Sequence, residues 1–242
     1  MKAIMLFFAS EIDPNGLNQL REVINKTLRS TDKTSTILII SEGNRNLLAD
    51  FPDKYSDRII MSFGVFKNFN EAILCAKEKG LLNCDLLFLH TPGDDVDISQ
   101  ESINIYFEYF RLTDAGFIIS DHFEYIDEIP SAKPKLQNLK PGHDPSNIII
   151  PGRSNNPGLF CHGSLIAVSQ KFINSRTFDI DVDYGYDYAV RMGVLAQEGS
   201  LYRIPKPLYS FRRGKAYYPG EGLQVKFEAR QSQKIGRHFS YT

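Results

Sequence analysis

The chain has 242 residues, 42% hydrophobic and 24% charged, with a net charge of −1. That balance is ordinary for a folded globular protein and excludes a disordered or fibrous chain and a general nucleic-acid binder. At this length roughly 70–75% of the unfolded surface can be buried, which is enough for one large α/β domain. The first apolar run, Ile4 to Ala9, is too short for a membrane span or a secretory signal. Cys75, Cys84 and Cys161 lack the paired spacing of a zinc site. A cytoplasmic protein with reduced thiols and no structural zinc is expected.

In chain order, Lys2 to Ala9 reads as a strand, Ser10 to Gly16 as a turn, and Leu17, Leu20, Val23, Ile24 and Leu28 recur on one helical face. Thr36 to Ile40 is a near-continuous apolar run, the pattern of a strand buried on both faces of a parallel sheet, and it ends in Ser41-Glu42-Gly43-Asn44. Arg58 to Phe63 is a third strand. Asn68 or Asn70 caps a helix through Gly80, with Ala72, Ile73, Cys75 and Ala76 along its stripe. Asp85 to Leu89 is the fourth strand. Ser99 caps a helix carrying Ile103, Tyr106, Phe107 and Phe110, and Ala115 to Ser120 returns as a strand.

This alternation selects a mostly parallel sheet flanked by helices, whose ligands gather beyond the carboxyl ends of the strands. Ser10, Glu42 and Asp94 lie at such ends. Residues 129–158 carry six prolines and little periodicity and read as a long loop over the sheet edge. A strand at Ser164 to Val168, a helix over Asp187 to Glu198, a strand at Leu201 to Ile204 and a basic tail complete the chain.

Two segments concentrate carboxylates. The fourth strand empties into a loop with Asp94, Asp95 and Asp97, and Phe178 to Asp187 brings Asp179, Asp181, Asp183 and Asp187. Acids gathered at a strand end repel one another unless a cation or proton sits between them, so a divalent metal carrying a phosphorylated ligand is the economical reading. The charge is also unevenly placed: residues 81–128 hold eleven Asp or Glu against Arg111 alone, and residues 203–238 hold nine Lys or Arg against Glu221 and Glu228. One region suits a cation and the other an anion. The plainer alternatives are two complementary solvated faces and, for Pro92-Gly93-Asp94-Asp95, ordinary turn chemistry before a helix.

In this order the motifs resemble the inverting glycosyltransferases of the GT-A fold, the family 2 type in particular, over residues 1–213. Ile37 to Asn44 matches the strand whose acidic end contacts the nucleotide, Lys67-Asn68-Phe69-Asn70 the family's Asn-rich helix start, and Asp94-Asp95-Val96-Asp97 its Asp-x-Asp motif, displaced behind His90, where the family has its first Asp. Gly163-Ser164, Phe178-Asp179, Gly185-Tyr186-Asp187, Gly199 and Pro207-Leu208-Tyr209 through Arg212 follow the family's later sequence.

The resemblance implies one GT-A domain over 1–242: a Rossmann-like, mostly parallel central sheet flanked by helices, with a smaller mixed sheet on the acceptor side. Residues 1–120 form the nucleotide-sugar half, 121–213 the acceptor and catalytic half, and 214–242 a basic tail. It implies Mn or Mg on Asp95 and Asp97, with His238 completing the shell. Donor contacts fall to Ser10, Glu42, Asn70 and Asp94, and a diphosphate clamp to Arg212, Arg213 and Lys215. The catalytic base is Asp187 or, in another register, Asp183. The partners implied are a nucleotide-sugar donor and a glycan or lipid-linked acceptor, the latter bringing peripheral membrane association; nucleic acid is not among them. A sugar nucleotidyltransferase is disfavoured because no Gly-rich phosphate loop with Arg and Lys follows the first strand. A degenerate, non-catalytic glycosyltransferase-like binding module also fits, on the displaced Asp motif and on Tyr186 standing where the family has Glu.

Overall fold

The computed structural model describes residues 1–9, 14–41, 53–66, 69–90, 94–125, 135–137, 164–178 and 186–212. Four strands run parallel in the order β3 (Ile59–Phe63), β2 (Ser35–Ser41), β1 (Ala3–Ala9) and β4 (Leu86–His90). Their apolar runs are unbroken because both faces are covered. Ala3, Met5, Phe7, Ile37, Ile39, Leu86 and Phe88 join one buried cluster, whereas Ile4, Leu6, Leu38, Ile40, Leu87 and Leu89 join another.

Helix α1 (Pro14–Ser30) covers the first face through Val23, Ile24 and Leu28, together with α3 (Gln100–Thr113) through Ile103, Tyr106 and Phe107. The other face is covered by α2 (Phe69–Glu78), through Ala72, Ile73 and Ala76, and by α4 (Ser175–Phe178) and α5 (Tyr186–Leu195), through Phe178, Val190 and Val194. Ser99 caps α3 as expected, its hydroxyl accepting from the Ser102 amide at 3.1 Å. Arg58 ties the end of α1 to the sheet, donating to the carbonyls of Leu28, Thr31 and Ser35 and to the Thr31 hydroxyl. The Leu28 and Thr31 carbonyls belong to the helix end, which leaves such groups without intrahelical partners, and the Ser35 carbonyl to the start of β2.

Beyond β4 the sheet continues through β8 (Leu165–Ser169), β6 (Phe117–Tyr125), β9 (Leu201–Arg212) and β5 (Asp95–Ile98), with β7 (Lys135–Gln137) on β6. The mixed part is therefore hydrogen-bonded to the parallel part as one nine-stranded sheet. β8 is antiparallel to β4 and to β6, β9 is parallel to β6, and β5 is antiparallel to β9.

Three sequence readings change. Asp95 to Ile98 is an edge strand and not a loop, because Val96 and Ile98 alternate into the core while Asp95 and Asp97 face out. Within 129–158, residues 135–137 pair with β6 as a strand. The strand expected to stop at Ile204 runs to Arg212, and its prolines, Pro205 and Pro207, lie where the register against β6 shifts between Ser120 and Asp121. A bulge of this kind releases ladder positions, so a residue without an N–H costs little there. Among the described residues no helix is long and apolar enough to cross a membrane.

Candidate functional site

The parallel strands end at one edge, with Ala9 on β1, Ser41 on β2 and His90 on β4. Ser10 and Glu42, expected to contact the donor, immediately follow these ends and lie outside the described residues, as do Asp183, Arg213, Lys215 and His238. At the edge itself Ser41 is fully buried and its hydroxyl has no hydrogen-bond partner among the described residues. His90 is also buried, its ring centroid 4.5 Å from that of Phe7. Helix α2 starts at Phe69, which puts Asn70 inside its first turn, 2% exposed, on the sheet face opposite α1.

The structure divides the acidic motif. Asp94 is 5% exposed, whereas the side chains of Asp95 and Asp97 are 51% and 45% exposed. Strand geometry is the cause, since residues two apart share a face, so Asp94 goes with Val96 and Ile98, and Asp95 goes with Asp97. The ammonium of Lys26 on α1 lies 3.6 Å from Asp95 Oδ1 and 3.3 Å from Asp97 Oδ2. An open groove of about 580 Å³ follows this seam, lined by Glu22, Asn25, Lys26, Arg29, Ser30 and Asp97.

Arg212 closes β9 directly opposite Asp95 on one side and Tyr125 on the other. Its guanidinium carbon is 5.2 Å from the centroid of the Tyr125 ring, in cation–π range. A planar cation held by a ring keeps its N–H edges available to an anion. Asp187 is the second residue of α5. A Cβ placed on Gly116 or Gly199 would run into Val194 near the other end of α5, so α5 rests that end at the start of β6 and β9 and carries Asp187 at its remote end.

Residues that sequence reasoning missed sit on β6. Ser120, Asp121 and His122 are each at most 2% exposed. Tyr106 donates to the Ser120 hydroxyl at 2.9 Å, and burial pushes that phenol's pKa well above its ordinary range. Arg203 grips Asp121, and the His122 ring stacks at 5.3 Å on Tyr209. The signal was a Ser-Asp-His triplet inside an otherwise apolar strand, which demands buried partners.

The sequence matches no protein-family model and none of the curated proteins compared with it. Solved structures do share its fold. A mannosyltransferase of Pyrobaculum calidifontis, PcManGT, in complex with GDP-Man and Mn2+, superposes with a TM-score of 0.57 at 9% identity over 95% of this chain and 60% of that one. TarS of S. aureus, residues 1–349 with UDP-GlcNAc, gives 0.56 at 10% identity over 100% of this chain and 74% of that one. A further TarS structure gives 0.55 at 9% identity over 88% of this chain and 37% of that one. The fold is GT-A. The chain spans 60% of PcManGT and 37% of the longer TarS chain.

A divalent cation at a GT-A edge needs carboxylates held near it. Asp94 is such an acid, withdrawn from solvent immediately before β5. Asp95 and Asp97 do not fit, because an ammonium already neutralises them on the outer side of β5. Among the described residues no three His, Cys, Asp or Glu side chains gather closely enough to hold a metal.

Proposed function

We propose that the chain transfers a sugar from a nucleoside-diphosphate donor to a hydroxyl of a glycan or lipid-linked acceptor, with inversion at the anomeric carbon. The observation that carries this reading is Asp94, a buried acid at the carboxyl edge of a GT-A sheet, with Arg212, the register partner of Asp95, one position away across the β5–β9 pair. PcManGT with GDP-Man and TarS with UDP-GlcNAc bind donors of this class on the same fold.

In this reading Ser10, Glu42 and Asn70 hold the nucleoside, and Arg212, Arg213 and Lys215 meet the diphosphate, Arg through paired hydrogen bonds and Lys as a point charge. Asp94 holds Mn or Mg, with His238 as a further ligand. Such a cation neutralises charge on the leaving group when bound. Asp187, at the start of α5, accepts the proton of the acceptor hydroxyl as its oxygen attacks the anomeric carbon. The sugar–phosphate bond breaks on the opposite side and its electron pair leaves with the nucleoside diphosphate. Asp183 is the alternative base in the neighbouring register.

Melting the protein with GDP, UDP, CDP and dTDP, each with and without Mn, tests donor binding. A ligand at one hundred times its Kd stabilises by about 2.7 kcal/mol, which raises the Tm of a chain this size by roughly 5–10 °C. One nucleotide is expected to do so. Mass-spectrometric detection of sugar transfer from the matching donor then reads the reaction, and Asp187→Asn is expected to abolish transfer while donor binding survives. No stabilisation by any nucleotide would instead identify a GT-A module without donor binding.

A further inference from the structure

Helix α1 and strand β5 run side by side in the same direction, joined at more than one level. At the lower end the Ser30 hydroxyl donates to the Ile98 carbonyl at 2.8 Å, satisfying an acceptor on an edge strand. Just beyond it Gln100 accepts from the Asp32 amide at 3.0 Å, lies 2.9 Å from the Ser35 hydroxyl, and donates to the Thr34 hydroxyl at 3.1 Å. One helical turn above Ser30, Lys26 spans Asp97 and Asp95. The next position along the strand is Asp94, which turns inward.

We propose that Asp95 and Asp97 act with Lys26 as a latch that fastens β5 to α1 and so fixes Asp94 at the sheet edge; they are positioning residues, not ligands of a donor's metal. The motif that looks like a metal-binding triplet is divided by strand alternation into one inward acid and two outward anchors. Two carboxylates on one side of a short edge strand would repel each other, and Lys26 removes that repulsion from the opposite element. The affinity part of the test rests on the proposed donor binding; the stability part does not.

The two roles predict opposite behaviour of Lys26. If Asp95 and Asp97 ligate a cation, removing the neighbouring ammonium leaves Mn-dependent nucleotide affinity unchanged or stronger, and the Asp95→Asn/Asp97→Asn variant loses it. In a latch, Lys26→Met and Asp95→Asn/Asp97→Asn break the same contact. Each then weakens Mn-dependent affinity by the same modest factor, about threefold, and their combination weakens it no further, whereas Asp94→Asn costs more than about tenfold.

The stability part uses thermal denaturation of the unliganded protein. Lys26→Met and Asp97→Asn are each expected to lower Tm by about 1–3 °C, as half-exposed ion pairs do, with the double variant no worse than either single one. The swapped pair, Lys26→Asp with Asp97→Lys, is expected to recover the loss. Strict additivity of the two substitutions would overturn the latch. So would a loss of Mn-dependent binding in Asp95→Asn/Asp97→Asn that Lys26→Met does not share. If the wild-type protein binds no nucleotide, the donor reading fails while additivity still judges the latch.

Discussion

The guanidinium of Arg203 on β9 holds the carboxylate of Asp121 on β6 through two hydrogen bonds, Nε to Oδ1 at 2.9 Å and Nη2 to Oδ2 at 2.8 Å. The two residues belong to strands that are parallel neighbours; Arg203 pairs with Ile119, two residues before Asp121, and the grip spans the point where the ladder is interrupted by a bulge. The Asp121 side chain is only 3% exposed. The pair thus supplies across the bulge what the missing backbone bonds do not.

Removing one partner leaves a buried charge, the costly way to break such a pair. Arg203→Met is expected to destabilise the protein by about 3 kcal/mol and lower Tm by roughly 6–12 °C. Adding Asp121→Asn is expected to restore part of the loss, because the second substitution removes the buried negative charge that Arg203 balanced. A melting temperature of Arg203→Met within a degree of wild type would refute the account.

Cys84 gives a pH-dependent prediction. Burial, reinforced by the neighbouring Asp85 carboxylate, pushes its thiol pKa up to about 12. The unfolded thiol ionises near pH 8.5, so above that pH the unfolded chain loses a proton that the native state keeps. Stability is then full below about pH 8.5 and falls as pH rises toward 12, with a limiting slope of about 1.4 kcal/mol per pH unit. Urea denaturation of wild type against Cys84→Ala between pH 8 and 10 isolates this slope, which the variant is expected to lack. Iodoacetamide at pH 8 is likewise expected to spare Cys84 in the native protein and to modify it after unfolding, as read by peptide mass spectrometry.

Gly193 sits inside α5, where an alanine is ordinarily better by about 1 kcal/mol. Here a Cβ would lie 2.6 Å from the Thr177 Cα and 3.2 Å from the Thr177 carbonyl oxygen, backbone atoms of α4 that have no rotamer to change. Gly193→Ala is therefore expected to destabilise, by about 1–3 kcal/mol, because overpacking outweighs propensity. Chemical denaturation decides the sign.

The parallel half of the fold was legible because its constraints are local. Thr36 to Ile40 reads as a doubly buried strand since both of its faces meet apolar clusters, and Ser99 reads as a cap because its partner is three residues away. The acidic motif stood out in the sequence as a concentration of carboxylates, but its loop geometry was misread. Asp-Val-Asp-Ile carries the period of two, but four residues are too few to separate a strand from a turn without knowing that β9 lies alongside. The strand through Pro205 and Pro207 was read too short for a similar reason: proline argues against a strand unless a bulge, visible only in the pairing with β6, removes the need for its N–H.

Sequence by itself determined the alternation of strands and helices, the two-faced burial of the first four parallel strands and the concentration of acids after β4. These follow from side-chain polarity at fixed short spacings. Which acid turns inward was decided only by tertiary structure, because Asp94 is separated from Asp95 by the pleat of an edge strand whose partner is more than a hundred residues away at Arg212, and whose outer face is met by Lys26 from a helix some seventy residues earlier. A charge in sequence has no direction until a neighbour of opposite sign, brought in from a distance, gives it one.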